Sequence, residues 1–120
     1  MKILGLNYGG HDTSACITIN GKVIAACEQE RYDYQKHSRN FPIDAINDCL
    51  KISNLKIDQI DVISFSNDPY LQIREKYIKL ANKDNYRVDF LINDFDRIKK
   101  LSQTESFIRE KLNFKKKIEF

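Results

Sequence analysis

Apolar and polar positions along the first quarter of the chain predict three strands. Apolar runs at residues 3–6 and 15–19 flank a polar loop, and a third run covers residues 22–27. The last two runs are separated by Asn20-Gly21, a pair typical of tight hairpin turns because both residues tolerate a positive φ. The pattern therefore predicts an antiparallel meander of three strands.

The pattern changes after the third strand. Residues 32–40 fit neither a helical nor an alternating period, which indicates a loop. Pro42 then begins a helix with apolar residues at helical spacing, and Asn54 is a plausible left-handed cap at its end. A strand of apolar residues follows Asp61 and ends at Asn67-Asp68-Pro69.

The second half of the chain is mainly helical in composition. Residues 70–81 predict a helix, followed by a polar break at Lys83-Asp84-Asn85 and apolar residues near helical spacing over residues 86–101. The sequence Ser102-Gln103-Thr104-Glu105 has the pattern of a capping box, which predicts a further helix through Leu112. Residues 115–120 resemble the opening of another strand. The prediction is an α/β fold in which a three-stranded antiparallel meander is followed by a helix, a strand and further helices.

Composition narrows the class of protein. The 120 residues, with 42% hydrophobic and 31% charged residues, suit one soluble globular domain spanning residues 1–120. A net charge of +3 is too small to indicate a nucleic-acid partner. No apolar run is long enough for a membrane span, and no signal-peptide region is present. Cys16, Cys27 and Cys49 lack metal-ligand spacing, so we interpret them as reduced, buried residues of a cytoplasmic protein.

The loop between the first two predicted strands concentrates polar chemistry. His11 is the candidate catalytic residue, because an imidazole titrates near neutral pH and can contact a substrate or act as a general base. Asp12 is the second candidate, since its carboxylate could hold the imidazole tautomer or a metal-bound water. Two structural alternatives stay open: His11 capping the hairpin through a backbone hydrogen bond, and Asp12 forming an Asx-turn.

The residues around His11 suggest an anion site. Gly9 and Gly10 permit a phosphate to approach the backbone, although hairpin loops use glycine anyway. Thr13 and Ser14 could donate to the same anion, or could serve as ordinary strand residues. These four residues are therefore candidates for substrate or nucleotide binding.

Three basic residues form a second candidate group. Arg31, Lys36 and His37 could meet a phosphate or an acceptor molecule, with a solvated loop as the alternative. A metal site formed by His11 and His37 is not favoured, because no further residue with ligand spacing accompanies them. No metal ligand is therefore assigned within the chain.

Four separated blocks of sequence carry a family resemblance. They are residues 4–15 (LGLNYGGHDTSA) followed by Asn20-Gly21-Lys22, then Glu28-Gln29-Glu30-Arg31, then Lys36-His37, and finally Phe41-Pro42. In order and spacing they resemble the N-terminus of the O-carbamoyltransferase family, which includes nodulation and antibiotic-tailoring enzymes. The resemblance is close over residues 1–66. It implies an actin-like (sugar kinase/heat-shock ATPase) fold.

The resemblance also implies an activity. Family members use ATP and carbamoyl phosphate as substrates and make a carbamoyl-adenylate in a separate C-terminal adenylating domain. The actin-like domain then transfers the carbamoyl group to a hydroxyl of a small molecule. The family's divalent metal site and its histidine motif would be expected beyond residue 120. The resemblance thus predicts an N-terminal fragment that is inactive alone, with the remainder of the enzyme in the same or another chain.

Two alternatives stay open. The tRNA threonylcarbamoyl-transferase family has a loop that also ends in an acidic-Thr-Ser pattern like Asp12-Thr13-Ser14, but the blocks from Glu30-Arg31 to Phe41-Pro42 argue against it. The other alternative is a non-catalytic half-domain that pairs with another chain, whose signature would be an unpaired sheet edge.

Overall fold

Five strands form one sheet in the computed structural model of the protein, which describes residues 1–83 and 88–120. The strands are β1 (Lys2–Asn7), β2 (Ser14–Ile19), β3 (Lys22–Glu28), β4 (Val62–Phe65) and β5 (Lys117–Glu119). Their order in the sheet is β3-β2-β1-β4-β5. The described chain divides into two compact units, residues 1–67 with 114–120, and residues 68–113. The whole sheet lies in the first unit.

Strand directions confirm the predicted meander. β1 pairs antiparallel with β2, and β2 pairs antiparallel with β3. Asn20 and Gly21 join β2 to β3 with φ values of 50° and 80°, as a tight turn of positive φ requires. β4 lies parallel to β1 on the other side, and β5 lies parallel to β4, which confirms the predicted strands near residues 62 and 117.

Two helices complete the first unit, α1 (Glu30–Asp33) and α2 (Ile43–Ile52), together with a short 3-10 helix at Ile57–Gln59. The loop prediction for residues 32–40 begins two residues too early, because Tyr32 and Asp33 belong to α1. The end of α2 is as predicted. Asn54 has φ 51°, its N–H donates to the Lys51 carbonyl, and the Leu55 N–H donates to the Leu50 carbonyl. These two bonds satisfy carbonyl groups that the helix end would otherwise leave open.

The core of the first unit lies between α2 and one face of the sheet. α2 packs against β2 and β3, and the Cys49 thiol lies 3.4 Å from the Ala15 carbonyl oxygen. The buried apolar residues of this layer come from both elements: Leu4, Leu6, Ala15, Ile17, Ala25, Ile63 and Phe65 from the sheet, and Ala45, Ile46 and Cys49 from α2. They alternate along each strand because successive side chains point to opposite faces.

The opposite face of the sheet carries small residues. Gly5 and Cys16 are directly paired across β1 and β2. A Cβ atom at Gly5 would lie 2.6 Å from the Cys16 Sγ, which is closer than two such atoms can approach. A larger residue at this position would therefore require the Cys16 thiol to move.

The second unit is helical. It contains α3 (Pro69–Ile73), a π-helical segment (Arg74–Ile78), α4 (Lys79–Lys83), α5 (Val88–Asn93), α6 (Phe95–Ser102) and α7 (Thr104–Leu112). The helix predicted for residues 70–81 is confirmed, although the π-helical segment was not foreseen. Lys83 still belongs to α4, and the rest of the predicted break, Asp84-Asn85, lies outside the described residues.

Two details of the second unit differ from the prediction. The segment predicted helical over residues 86–101 is interrupted at Asp94, between α5 and α6; residues 86 and 87 lie outside the described part. The prediction of a capping box at residues 102–105 is wrong. Ser102 is the last residue of α6, and its hydroxyl donates to the Lys99 carbonyl at 2.8 Å instead of capping α7. Serine side chains compete in this way for nearby backbone groups.

The structure confirms the predicted α/β class, with its three-stranded antiparallel meander followed by a helix, a strand and further helices. The three cysteines are free, but only Cys49 is buried, while Cys16 and Cys27 are partly exposed. Within residues 1–83 and 88–120, no helix combines the length and apolar character needed to cross a membrane.

Candidate functional site

The loop of residues 8–13 connects the ends of β1 and β2, where Asn7 and Ser14 are paired. The Asn7 side-chain amide donates to the Asp12 carbonyl at 2.8 Å, which closes the loop. The Ser66 hydroxyl in turn donates to the Asn7 side-chain oxygen at 2.6 Å. The loop is therefore anchored to the end of β4 as well as to its own strands.

Gly9 and Gly10 lie exposed in this loop. A Cβ atom added at either residue would meet nothing within 4 Å. Gly9 has φ +81°, a conformation that side-chain-bearing residues rarely adopt, whereas Gly10 does not lie in this region. The space beside this stretch of backbone is open, and only Gly9 needs glycine for its conformation. The approach of a phosphate stays a prediction.

Three side chains converge at the loop: His11, Asp12 and His37. One Asp12 carboxylate oxygen lies 3.0 Å from His11 Nδ1, and the other lies 2.9 Å from His37 Nδ1. The two imidazole centroids are 4.2 Å apart. All three side chains face solvent, with exposed fractions of 73% for His11, 58% for Asp12 and 48% for His37. The sequence argument against a histidine pair is wrong in its premise, because Asp12 accompanies both rings.

The contacts of Asp12 fix the chemistry of both rings. Two hydrogen bonds lower the pKa of the Asp12 carboxyl below its ordinary value. The bond with His11 makes the largest contribution, and the bond with His37 the next largest. A charged carboxylate facing each Nδ1 favours the proton on that nitrogen and leaves Nε2 as the acceptor in the neutral ring. His11 Nδ1 thus contacts a carboxylate rather than a backbone group. This arrangement is the one expected if Asp12 orients an imidazole base.

His37 is held in place by acidic residues of the preceding segment. Its φ is 57°, and its backbone N–H donates to the Glu30 carboxylate at 3.1 Å. The Asp33 carboxylate organises the rest of the loop and has a lowered pKa, chiefly because of its bond with Ser38. It accepts from the Gln35 N–H at 3.1 Å, the Ser38 hydroxyl at 2.5 Å and the Asn40 amide at 3.0 Å. The loop is therefore structured around His37 and differs from a freely solvated segment.

A small cavity of about 230 Å³ is lined by two of the three side chains, Asp12 and His37. Its walls include three carboxylates, Asp12, Glu28 and Glu30, against one ammonium group, Lys36. Thr13 also lines it; the residue is 2% exposed, and its hydroxyl has no hydrogen-bond partner within the part of the chain that the structure describes. The excess of negative charge favours a cation or a neutral polar group in this cavity over a phosphate.

A larger cavity of about 710 Å³ lies on the sheet face that carries Gly5 and Cys16. Its polar walls include Asn7, Ser14, Ser64, Ser66, Glu28 and Arg31. The Arg31 Nε lies 3.7 Å from the Glu28 carboxylate, at the surface. A pocket of this volume is within the usual range for small-molecule ligands.

The two cavities divide residues that the sequence analysis had grouped. Arg31 lines the larger cavity, whereas Lys36 and His37 line the smaller one, so neither cavity brings all three basic residues together. α1 ends at Asp33, between Arg31 and the other two residues, and the chain changes direction there. Thr13 and Ser14 are also separated, because successive residues of an extended chain point to opposite sides. Neither cavity is lined by both residues.

The sequence analysis missed two residues that support the His37 loop. Glu30 and Asp33 position the His37 loop, but each acts on donors several residues further along the chain. Acidic residues before a polar loop are a weak signal, since any exposed segment contains them. Tyr32 was also missed; its hydroxyl donates to Asp48 at 2.8 Å, and its pKa is raised by contacts with Cys27 and Asp48 and by burial.

Comparison with known proteins gives relatives over part of the chain. The chain is 32% identical over 82 residues to protein sll1178 of Synechocystis, and 38% identical over 55 residues to the nodulation protein NolNO of Sinorhizobium fredii. These matches cover 66% and 46% of this chain. The chain spans 13% of sll1178 and 8% of NolNO.

Among solved structures, YeaZ from Pseudomonas aeruginosa is similar over 54% of this chain and 29% of its own chain, with a TM-score of 0.39 and 14% identity. This likeness is too slight to support an argument about the site.

The match to a family model is far more extensive. The model described as "Carbamoyltransferase N-terminus" matches residues 2–118. That range includes nearly all of both units and every side chain of the candidate site. The chain belongs to the carbamoyltransferase N-terminus family.

Proposed function

We propose that the chain is the N-terminal part of an ATP-dependent O-carbamoyltransferase. The enzyme moves a carbamoyl group from carbamoyl phosphate, through carbamoyl-adenylate, to a hydroxyl of a small molecule. Family membership supports carbamoyl transfer as the class of reaction. The observation that carries the role of this chain is the contact of Asp12 with the Nδ1 atoms of His11 and His37.

The proposed step at this site is the transfer itself. The acceptor hydroxyl gives its proton to His11 Nε2 while its oxygen attacks the carbamoyl carbon. The bond from that carbon to the adenylate phosphate oxygen then breaks, and AMP leaves. Asp12 stabilises the imidazolium that forms, because its carboxylate already accepts from Nδ1. The charge that develops on the base is thereby balanced by an adjacent anion.

The exposure of His11 suits this role. A base that serves an exchangeable acceptor has to be reached from solvent, and the His11 side chain is well exposed. The small cavity beside His37 offers the Thr13 hydroxyl as a buried polar group without a partner in the described residues. We propose that this hydroxyl contacts a polar group of the acceptor or of the carbamoyl moiety, which would satisfy its hydrogen-bonding capacity.

The His11→Ala substitution in the enzyme that contains this chain tests the proposal. We expect the rate of acceptor carbamoylation to fall by at least about 100-fold, the lower range for the loss of a general base. Formation of carbamoyl-adenylate should continue, because the resemblance assigns it to a separate domain. The two activities are measured separately, as carbamoylated acceptor by mass spectrometry and as exchange of labelled pyrophosphate into ATP.

Tyr34→Phe is the matched control, since Tyr34 follows α1 in the segment that leads to His37, its side chain is exposed, and it has no assigned role. It should leave both activities unchanged. Transfer that survives His11→Ala would remove His11 from the mechanism. Loss of both activities in His11→Ala, with an unchanged melting temperature, would place His11 in adenylate formation instead.

A further inference from the structure

His11, Asp12 and His37 together present the kinds of side chain that bind metal ions in proteins. Two imidazoles and a carboxylate favour transition metals such as Zn²⁺, Co²⁺, Ni²⁺ or Fe²⁺ over Mg²⁺ and Ca²⁺, which prefer oxygen ligands. Among the described residues, this is the group of three whose ligand atoms all lie within 4.8 Å of one another. The set draws on two separate segments of the chain, so it arises from folding rather than from local sequence.

Two of the three ligand pairs have the spacing of neighbouring atoms in a coordination sphere. Nitrogen and oxygen ligands bind Zn²⁺ at about 2.0–2.2 Å, which places neighbouring ligand atoms about 2.9–3.5 Å apart. The Asp12 oxygens lie 3.0 Å from His11 Nδ1 and 2.9 Å from His37 Nδ1. A metal ion at this position would replace the two hydrogen bonds and draw together ligand atoms that already lie within 4.8 Å of one another.

The backbone around the ligands is organised in advance. The Asn7 side chain fixes the Asp12 carbonyl, and Glu30 fixes the His37 N–H. His37 also holds a positive φ, a conformation that costs free energy and tends to occur where the surrounding structure enforces it. Preorganised ligands reduce the entropy that binding would otherwise lose.

The surrounding charge favours a cation. Glu28 and Glu30 line the cavity beside Asp12, while Lys36 supplies its positive charge. The three carboxylates outweigh the ammonium group. Because the cluster is exposed, solvent molecules or a substrate oxygen can occupy the coordination positions that the protein leaves open.

We propose that His11, Asp12 and His37 bind one divalent transition metal ion, of which Zn²⁺ is the representative, at a site separate from any metal site beyond residue 120. Resting on the function proposed above, the inference adds a regulatory consequence. A metal ion bound to Nδ1 displaces the Nδ1 proton, so each neutral ring then carries its proton on Nε2. Such a ring cannot accept a proton from the acceptor hydroxyl. Zn²⁺ at this site is therefore an inhibitor of transfer.

The test is metal binding to the chelator-treated protein. Zn²⁺ binding is measured by calorimetry, and Co²⁺ binding by its visible absorption. Wild type is compared with His37→Ala and His11→Ala, which each remove one ligand, and with Lys36→Ala, which changes the neighbouring charge and keeps all three. We expect each ligand variant to bind at least about tenfold more weakly, since even the loss of an outer partner costs a metal site about 10–100-fold.

The control should behave differently. Lys36→Ala should bind Zn²⁺ as tightly as wild type or more tightly, because it removes a cation from the cavity wall. Equal affinity and stoichiometry in wild type and both histidine variants would overturn the proposal. A similar loss in Lys36→Ala and in the histidine variants would also overturn it, because the effect would then not follow the ligands.

Binding and activity report on separate claims. If Zn²⁺ binding depends on His37 but the wild-type enzyme shows no carbamoyl transfer, the metal site is supported and the proposed function is refuted. If the wild-type enzyme transfers carbamoyl groups but the histidine variants bind Zn²⁺ as tightly as wild type, only the metal site is refuted. Where both hold, Zn²⁺ should inhibit transfer at concentrations that saturate the site measured by calorimetry.

Discussion

Gly9 and Gly10 are neighbours at the residue scale, yet they should respond differently to the same substitution. Both have open space where a Cβ would lie, but only Gly9 has a positive φ, at +81°. We expect Gly9→Ala to lower the free energy of unfolding by about 1 kcal/mol, the cost of a left-handed conformation for alanine. Gly10→Ala should be neutral or slightly stabilising, because alanine restricts the unfolded chain. Urea denaturation of both variants measures the difference.

The comparison isolates backbone conformation, since the two sites share exposure and surrounding space. Equal changes in the free energy of unfolding for the two variants would contradict the assignment of φ as the deciding factor.

The sequence predicted some residues of the site better than others. His11 and Asp12 are adjacent, so their chemistry is visible in a short motif. The partnership of Asp12 with His37 spans 25 residues and depends on how α1 and the following loop return the chain to β2. The prediction for Thr13 and Ser14 differs from the structure in the opposite sense. Because they are neighbours in sequence they were assigned to one site, but they line different cavities. Short-range patterns identify residue types, whereas convergence depends on the tertiary path.

At the scale of elements, two helix starts in the second unit differ in their caps. The Asp68 carboxylate accepts from the N–H groups of Tyr70 and Leu71 at 2.9 Å, whereas Gln103 begins α7 without a side-chain cap. We expect Asp68→Ala to cost about 1 kcal/mol of local stability, typical of a lost cap. Amide hydrogen exchange at Tyr70 and Leu71 should become faster.

Gln103→Ala is the matched control and should leave exchange at the start of α7 within about 0.5 kcal/mol of wild type. Faster exchange in the control equal to that in Asp68→Ala would show that the side-chain bonds do not stabilise the helix start.

Elements were predictable where their signals are local. Asn20-Gly21, Pro42 and Asn54 each act through their own backbone preferences, and the turn and α2 lie where these residues indicate. The capping-box prediction was wrong because Ser102 is the last residue of α6 and therefore cannot cap the helix that follows. The π-helical segment was not foreseen, because its residues, Arg74–Ile78, include no glycine, proline or other local signal that distinguishes them from an ordinary helix.

On the scale of the whole molecule, Asp61 joins two distant parts of the sheet. Its carboxylate accepts from the Lys2 backbone N–H at 2.7 Å, at the beginning of β1. This hydrogen bond is the main cause of the lowered pKa of Asp61, with the positive charges of the N-terminus, Lys116 and Lys2 as further contributions. The charged carboxylate is thus favoured in the folded state.

The Asp61→Asn substitution should therefore destabilise the protein in a pH-dependent way. A lowered folded-state pKa gives stability that is fully present above the unfolded value, about 3.9, and is lost as the pH falls through the folded value. We expect the variant to melt at a lower temperature than wild type at pH 7. The difference should disappear under acidic conditions where both side chains are neutral. A difference that stays constant from neutral to acidic pH would contradict the assignment.

The parallel pairing of β5 with β4 has a consequence for synthesis on the ribosome. β4 ends at Phe65 and β5 begins at Lys117, so 52 positions separate the two strand boundaries. At translation rates of about 5–20 residues per second, the outer edge of β4 waits about 3–10 s for its partner. The hairpins of β1, β2 and β3 need no such delay. The nascent sheet therefore has a defined interval in which an open β4 edge can recruit another chain, and chaperone protection would be most valuable during that interval.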